Sequence, residues 1–227
     1  MSANQTPQLY AIYNILLKKF GPQHWWPGES KEEIIIGAIL TQNTNWKNVE
    51  KSIYNLKSNN LIDLSRLDEI DEQKLAEIIH SSGYYKQKAK RLKLVAEFFK
   101  KNPISTLENC STGELRETLL SVNGIGAETA DSILLYAFNR PIFVIDAYTK
   151  RIFNRLGFWN EKISYKDAQD LFMNNLNPSD GFASGGDVNL FNEYHALLVK
   201  LGKDICKKTP LCPQCPLKSV CVSDTNY

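Results

Sequence analysis

One five-residue stretch decides the fold class. Pro141 to Ile145, Pro-Ile-Phe-Val-Ile, is the single strand-like run in 227 residues, and a lone strand cannot form a sheet. It reads as an extended segment crossing between helices. Elsewhere apolar residues recur at helical spacing. Leu9, Ile12, Tyr13, Leu16, Leu17 and Phe20 mark a first helix that stops at Gly21-Pro22. Ser30, with Glu33 three residues on, predicts a capping box. The helix it opens, Lys31 to about Thr41, is apolar nearly all round and should be buried at a domain centre. Further helices are expected over Trp46–Lys57, Asp71–Ser81, Tyr84–Lys101, Ser111–Ser121, Ala127–Phe138, Ala147–Leu156, Tyr165–Asn175 and Asn189–Cys206, with a loop over Asn177–Asp187. The expected fold is all-α.

Composition sets the class of partner only loosely. At 43% hydrophobic the chain can bury a large core, and a net charge of +2 neither requires nor forbids a nucleic acid. The charge is uneven: Tyr84 to Lys101 holds Lys86, Lys88, Lys90, Arg91, Lys93, Lys100 and Lys101 against Glu97. That run reads as a solvated helix face. Met1 to Gln8 carries no secretory signal, and no apolar run approaches the ~20 residues that cross a bilayer. A cytosolic protein without a membrane is expected, with reduced thiols.

Three motifs carry chemistry. In the first, a helix holding Leu115, Leu119 and Leu120 runs into Val122-Asn123-Gly124-Ile125-Gly126, and a second helix follows at once. Gly124 and Gly126 suit a tight turn that uncovers backbone N–H groups at a helix N-terminus, where an anion such as a DNA phosphate can bind; Ile125 plugs the turn into the core. An ordinary helical hairpin is the plain alternative. In the second, Asp146 precedes the helix Ala147–Leu156 as an N-cap. Its apolar approach, Phe143-Val144-Ile145, suggests the lip of a buried cleft rather than a solvated cap. There a fixed carboxylate would interact strongly with a developing cation. In the third, Cys206, Cys212, Cys215 and Cys221 lie within 16 residues, interleaved with Pro210, Pro213 and Pro216. Four reduced thiols so placed point to a metal, either zinc or iron–sulfur. The fifth, Cys110, reads as an ordinary buried thiol.

Taken together, Val122–Gly126, Thr129-Ala130 and Val144-Ile145-Asp146 resemble the helix-hairpin-helix superfamily of DNA glycosylases, the endonuclease III-like enzymes. Asp146 falls 20 residues after Gly126, which is that family's spacing. The resemblance implies two helical domains flanking a DNA-binding cleft: residues 30–142 with the hairpin, and residues 1–29 plus 143–227 with the cysteine loop. It implies that Asp146 stabilises positive charge at the sugar as a damaged base leaves. It also implies a [4Fe–4S] cluster on the four cysteines, although the family's first gap is usually one residue longer; zinc is the alternative. The expected partner is double-stranded DNA with a damaged base, and a monomer is expected.

Two finer features narrow the likeness. Bifunctional relatives carry a lysine two residues after the second hairpin glycine, where it forms a Schiff base with the sugar. Glu128 stands at that position here, so a glycosylase without lyase activity is implied. Trp25-Trp26-Pro27, Ile39–Thr44 and Ser82–Leu92 resemble the 3-methyladenine DNA glycosylase III branch, whose aromatic residues stack an alkylated, cationic purine. Motif matching makes Trp25, Trp26, Pro27 and Trp46 base-pocket candidates, and Gln42 the residue that enters the gap left by the flipped nucleotide. A cationic base on an indole face gains roughly 0.5–2 kcal/mol per ring. The rival readings are a glycosylase for uracil, mismatched thymine or oxidised bases, with or without lyase activity, and a non-catalytic DNA-binding module.

Overall fold

The computed structural model describes residues 5–25, 28–176 and 188–223. Among these, the regular elements are twelve α-helices and three short 3-10 turns, with no strand. In chain order the helices are α1 (Gln5–Phe20), α2 (Lys31–Leu40), α3 (Trp46–Ser58), α4 (Leu64–Glu69), α5 (Glu72–Ile78), α6 (Tyr85–Lys101), α7 (Ile104–Leu107), α8 (Thr112–Leu120), α9 (Ala127–Tyr136), α10 (Ala147–Arg155), α11 (Tyr165–Asn175) and α12 (Val188–Asp204). None is long and apolar enough to cross a membrane. The loop expected over residues 177–187 lies outside the described residues. The chain divides into two compact units, residues 26–140 and residues 1–25 with 141–227.

In the 26–140 unit, α2 is the centre, with Ile34, Ile35, Ile36, Gly37, Ile39 and Leu40 all buried. It packs on α3, α6 and α9. Its N-terminus holds half of the expected capping box. Ser30 Oγ accepts from Glu33 N at 3.1 Å, but the Glu33 carboxylate turns to Glu29 N and forms an ion pair with Lys57. The two-armed box sits instead at α8, where Ser111 and Glu114 bond each other's backbone N–H. Helices α4 and α7 escape the periodicity reading because each spans two turns or fewer; their starts are marked by the Asp63 cap and by Pro103.

The basic run on α6 is not a solvated face. Lys88 is buried, and the Lys93 ammonium donates to the carbonyls of Leu67, Asp68 and Ile70 at the end of α4. Lys100 and Lys101 pair with Asp68 and Glu97. Four of the seven cations are therefore committed to carbonyls or carboxylates. Cys110 also departs from expectation, being partly exposed rather than buried.

In the other unit the strand-like segment survives without a sheet because side chains satisfy its backbone, as buried polar groups require. Gln169 Nε2 donates to Phe143 O at 2.8 Å, and Phe143 N approaches Met173 Sδ at 3.3 Å. The Phe143 ring stacks on Phe172 at 3.9 Å between centroids and meets Phe191 and Tyr194 edge-on. Tyr194 OH reaches Leu9 O at 2.9 Å, tying α12 to α1. The segment is thus a buried, packed strap that leads into Asp146.

Candidate active site and metal centre

Asp146 is the N-cap of α10, its Oδ1 accepting from Thr149 N at 2.7 Å. A cap is usually wet; this side chain is only 13% exposed. Its other oxygen, Oδ2, faces His195 Nε2 on α12 at 3.7 Å. Burial pushes the His195 imidazole towards its neutral form, and the Asp146 charge pulls the other way. The Trp25 ring lies 5.8 Å from the imidazole. Trp25 and Asp146 thus both neighbour one buried histidine. His195 escaped the sequence reading. Its only signal is a titratable residue inside the apolar face of α12, 49 positions from the carboxylate it meets. Trp26 and Pro27 lie outside the described residues. Trp46 opens α3 in the 26–140 unit, whereas Trp25 belongs to the other.

The turn Val122–Gly126 joins α8 to α9. Only Gly124 uses positive φ, at +95°; Gly126 is an extended N-cap without a side-chain bond, so both glycines are not needed for the same reason. Ile125 is 5% exposed and plugs the core as expected. A Cβ on Gly124 would stand 2.7 Å from Arg91 Cγ, so the α6 arginine lies directly over the turn. The uncapped first turn of α9 offers backbone N–H groups and a positive dipole end. Gln42, on the turn after α2, is knitted to this hairpin: its Nε2 donates to Gly124 O and Thr129 Oγ1, both at 3.0 Å, and its Oε1 accepts from Arg91. Gln42, Arg91, Gly124, Ile125, Gly126, Glu128 and Thr129 line one open cavity of about 490 Å³.

Two buried ionic devices hold this arrangement. Lys88 Nζ donates to Leu40 O, Thr44 Oγ1 and Ser82 O, each at 2.7 Å. It thereby closes both ends of the turn that carries Gln42. Burial, aided by the nearby Arg91 charge, pushes its pKa down to about 8. Between α8 and α9, Arg116 grips the fully buried Asp131 with two bonds of 2.7 and 3.1 Å. Neither arrangement was legible as spacing.

Cys206, Cys212, Cys215 and Cys221 surround one cavity of about 240 Å³. Among the described residues no group of three or more His, Cys, Asp or Glu side chains is gathered for a single ion. Asn154, Arg155, Ile205, Pro210, Lys218 and Ser223 line that cavity with them. Burial, then the neighbouring cysteine sulfurs, push the Cys215 thiol up, a penalty that a cationic guest would remove. Helix α10 anchors this loop as well: Arg155 donates to Cys206 Sγ at 3.2 Å and to Lys207 O at 2.7 Å, while Arg151 donates to Cys206 O at 2.8 Å. Four cysteine thiols on one cavity are a donor set that an iron–sulfur cluster or zinc could use.

A two-helix hairpin with an exposed glycine turn and a shielded carboxylate after an extended strap defines a class. The chain belongs to the HhH-GPD superfamily of base excision DNA repair proteins, whose profile matches residues 36–178, more than half of the chain. Among its relatives, a Methanocaldococcus jannaschii protein with the provisional name DNA repair glycosylase MJ1434 is 48% identical, covering 98% of this chain and all of its own length. Endonuclease III of Sulfolobus acidocaldarius is 30% identical over 82% of this chain and 79% of its own. Among solved structures, the Helicobacter pylori 3-methyladenine DNA glycosylase bound to 1,N6-ethenoadenine superposes with a TM-score of 0.73. It is 32% identical, covering 88% of this chain and 97% of its own.

Proposed function

We propose that this chain is a monofunctional DNA glycosylase that hydrolyses the N-glycosidic bond of a flipped, alkylated purine. The observation that carries the reading is Asp146: a carboxylate 13% exposed, with one oxygen fixed by Thr149 N and the other turned to a buried histidine. When the glycosidic bond breaks, its electron pair leaves with the base and positive charge grows on the sugar. A fixed, shielded carboxylate stabilises that charge more than water can. Water then adds at the sugar carbon and gives up a proton, leaving free base and an intact abasic strand. A cationic alkylpurine departs as a neutral base, so no general acid is required. That agrees with Asp146 being the one carboxylate matched by motif.

The alkylated-purine assignment rests on the Helicobacter pylori relative with its etheno-adenine and on the Trp25 indole beside His195. Duplex DNA is the partner, held by the amides of Gly124–Gly126, with Gln42, Trp26, Pro27 and Trp46 as further contacts to the flipped site. Cys206, Cys212, Cys215 and Cys221 hold a [4Fe–4S] cluster. When bound, the cluster pins the loop that carries Lys207, Lys208 and Lys218. Freshly purified protein is expected to be brown, with broad visible absorbance and about four irons per chain; a colourless protein with one zinc would refute the assignment.

The functional test offers duplexes carrying 3-methyladenine, etheno-adenine, uracil, a G·T mismatch or an oxidised pyrimidine, and identifies the released base by chromatography. Free alkylated adenine, with no covalent complex after borohydride, is the expected result because Glu128 supplies no amine. Release confined to uracil, thymine or an oxidised base would overturn the substrate assignment. A borohydride-trapped complex would overturn the monofunctional one.

A further inference from the structure

Arg91 stands over the hairpin with most of its guanidinium uncommitted. Among the described residues its side chain makes one hydrogen bond, from Nη1 to Gln42 Oε1, and no ion pair. A guanidinium carries five N–H donors in a fixed fork. The stem is held in place by its packing on Gly124, where an added Cβ would meet Cγ at 2.7 Å and Cδ at 2.9 Å. The head lines the same cavity as Gly124, Ile125 and Gly126. Glu128 lines that cavity too, so an approaching phosphate meets a negative side chain as well as the helix amides. A cation over the turn offsets it.

Resting on the glycosylase reading above, we propose that Arg91 is a positioning residue shared between Gln42 and the DNA backbone. In the free protein it holds the Gln42 amide against the hairpin. When a phosphate reaches the Gly124–Gly126 amides, the uncommitted N–H groups of the guanidinium add a charge-assisted contact to it, while Nη1 stays on Gln42 Oε1. Gln42 Nε2 keeps its bonds to Gly124 O and Thr129 Oγ1. One guanidinium thereby ties strand capture to the placement of Gln42.

The test measures affinity for undamaged duplex across a salt series, using wild type, Arg91→Met and Arg91→Lys, together with thermal melting. Methionine preserves the stem over Gly124 and removes the charge. The expected result is a salt exponent smaller by about one in Arg91→Met and restored in Arg91→Lys, with unchanged melting. Single-turnover base release at saturating DNA should fall in Arg91→Met, where Gln42 Oε1 loses the donor that places it. An exponent in Arg91→Met equal to wild type would overturn the proposal. If wild type itself binds no duplex and releases no base, the glycosylase reading fails instead; wild-type activity with an unaltered Arg91→Met exponent removes only the role of Arg91.

Discussion

Asp146→Asn is expected to lower single-turnover base release by roughly 10²–10³-fold, the loss typical of removing one preorganised electrostatic contact to a transition state. The substitution separates charge from structure. Asparagine is as good an N-cap as aspartate, so its side-chain oxygen can keep the bond from Thr149 N that starts α10. Helix α10 also carries Arg151 and Arg155, which anchor the cysteine loop, so a lost cap would spread to that loop. Asp146→Ala removes charge and cap together and costs about 1 kcal/mol of stability besides. Intact melting and DNA affinity with collapsed catalysis in Asp146→Asn supports the assignment. Release within a factor of about three of wild type means that the carboxylate is only a cap.

The second large effect is on stability. Arg116→Met should destabilise the 26–140 unit by about 3 kcal/mol, because breaking a buried ion pair leaves a buried charge poorly compensated. Asp131 has no exposed surface, and both its oxygens accept from the Arg116 guanidinium. Methionine retains the stem of the arginine, so the loss is electrostatic rather than a cavity. At roughly 2–4 °C per kcal/mol for a chain of this size, the melting temperature should fall by about 6–12 °C. Calorimetry decides this. A fall of under about 2 °C would show that the pair is not what clamps the two helices of the hairpin.

The parts of the fold that were legible from sequence are those written in short-range pattern. Period-3.6 apolar residues located the longer helices. The isolation of Pro141–Ile145 excluded a sheet, and Gly124-Ile125-Gly126 located the hairpin. What stayed hidden depends on neighbours far apart in the chain. The Ser30–Glu33 spacing promised a two-armed box, but Lys57 and Glu29 N compete for the Glu33 carboxylate and win one arm. Lys88, Lys93 and Arg91 looked like a wet stripe because nothing local shows that α6 lies against the ends of α2 and α4 and over Gly124. Asp146 could be singled out by its apolar approach and its spacing from the hairpin; His195 could not, since a histidine on an apolar helix face carries no local sign of the carboxylate it meets. The four cysteines were visible as a group; the Arg151 and Arg155 side chains that anchor their loop from α10 were not.

The central claim is that Asp146 faces positive charge on the sugar of an extruded nucleotide. It is tested most directly by comparing affinities for two abasic analogues in the same duplex, one with a cationic pyrrolidine ring in place of the sugar and one with a neutral tetrahydrofuran ring. A site complementary to the transition state prefers the cation, by about 10²-fold on the lower range for such analogues. Asp146→Asn should abolish the preference while binding the neutral analogue as wild type does. Equal affinity of wild-type protein for the two rings would contradict the account.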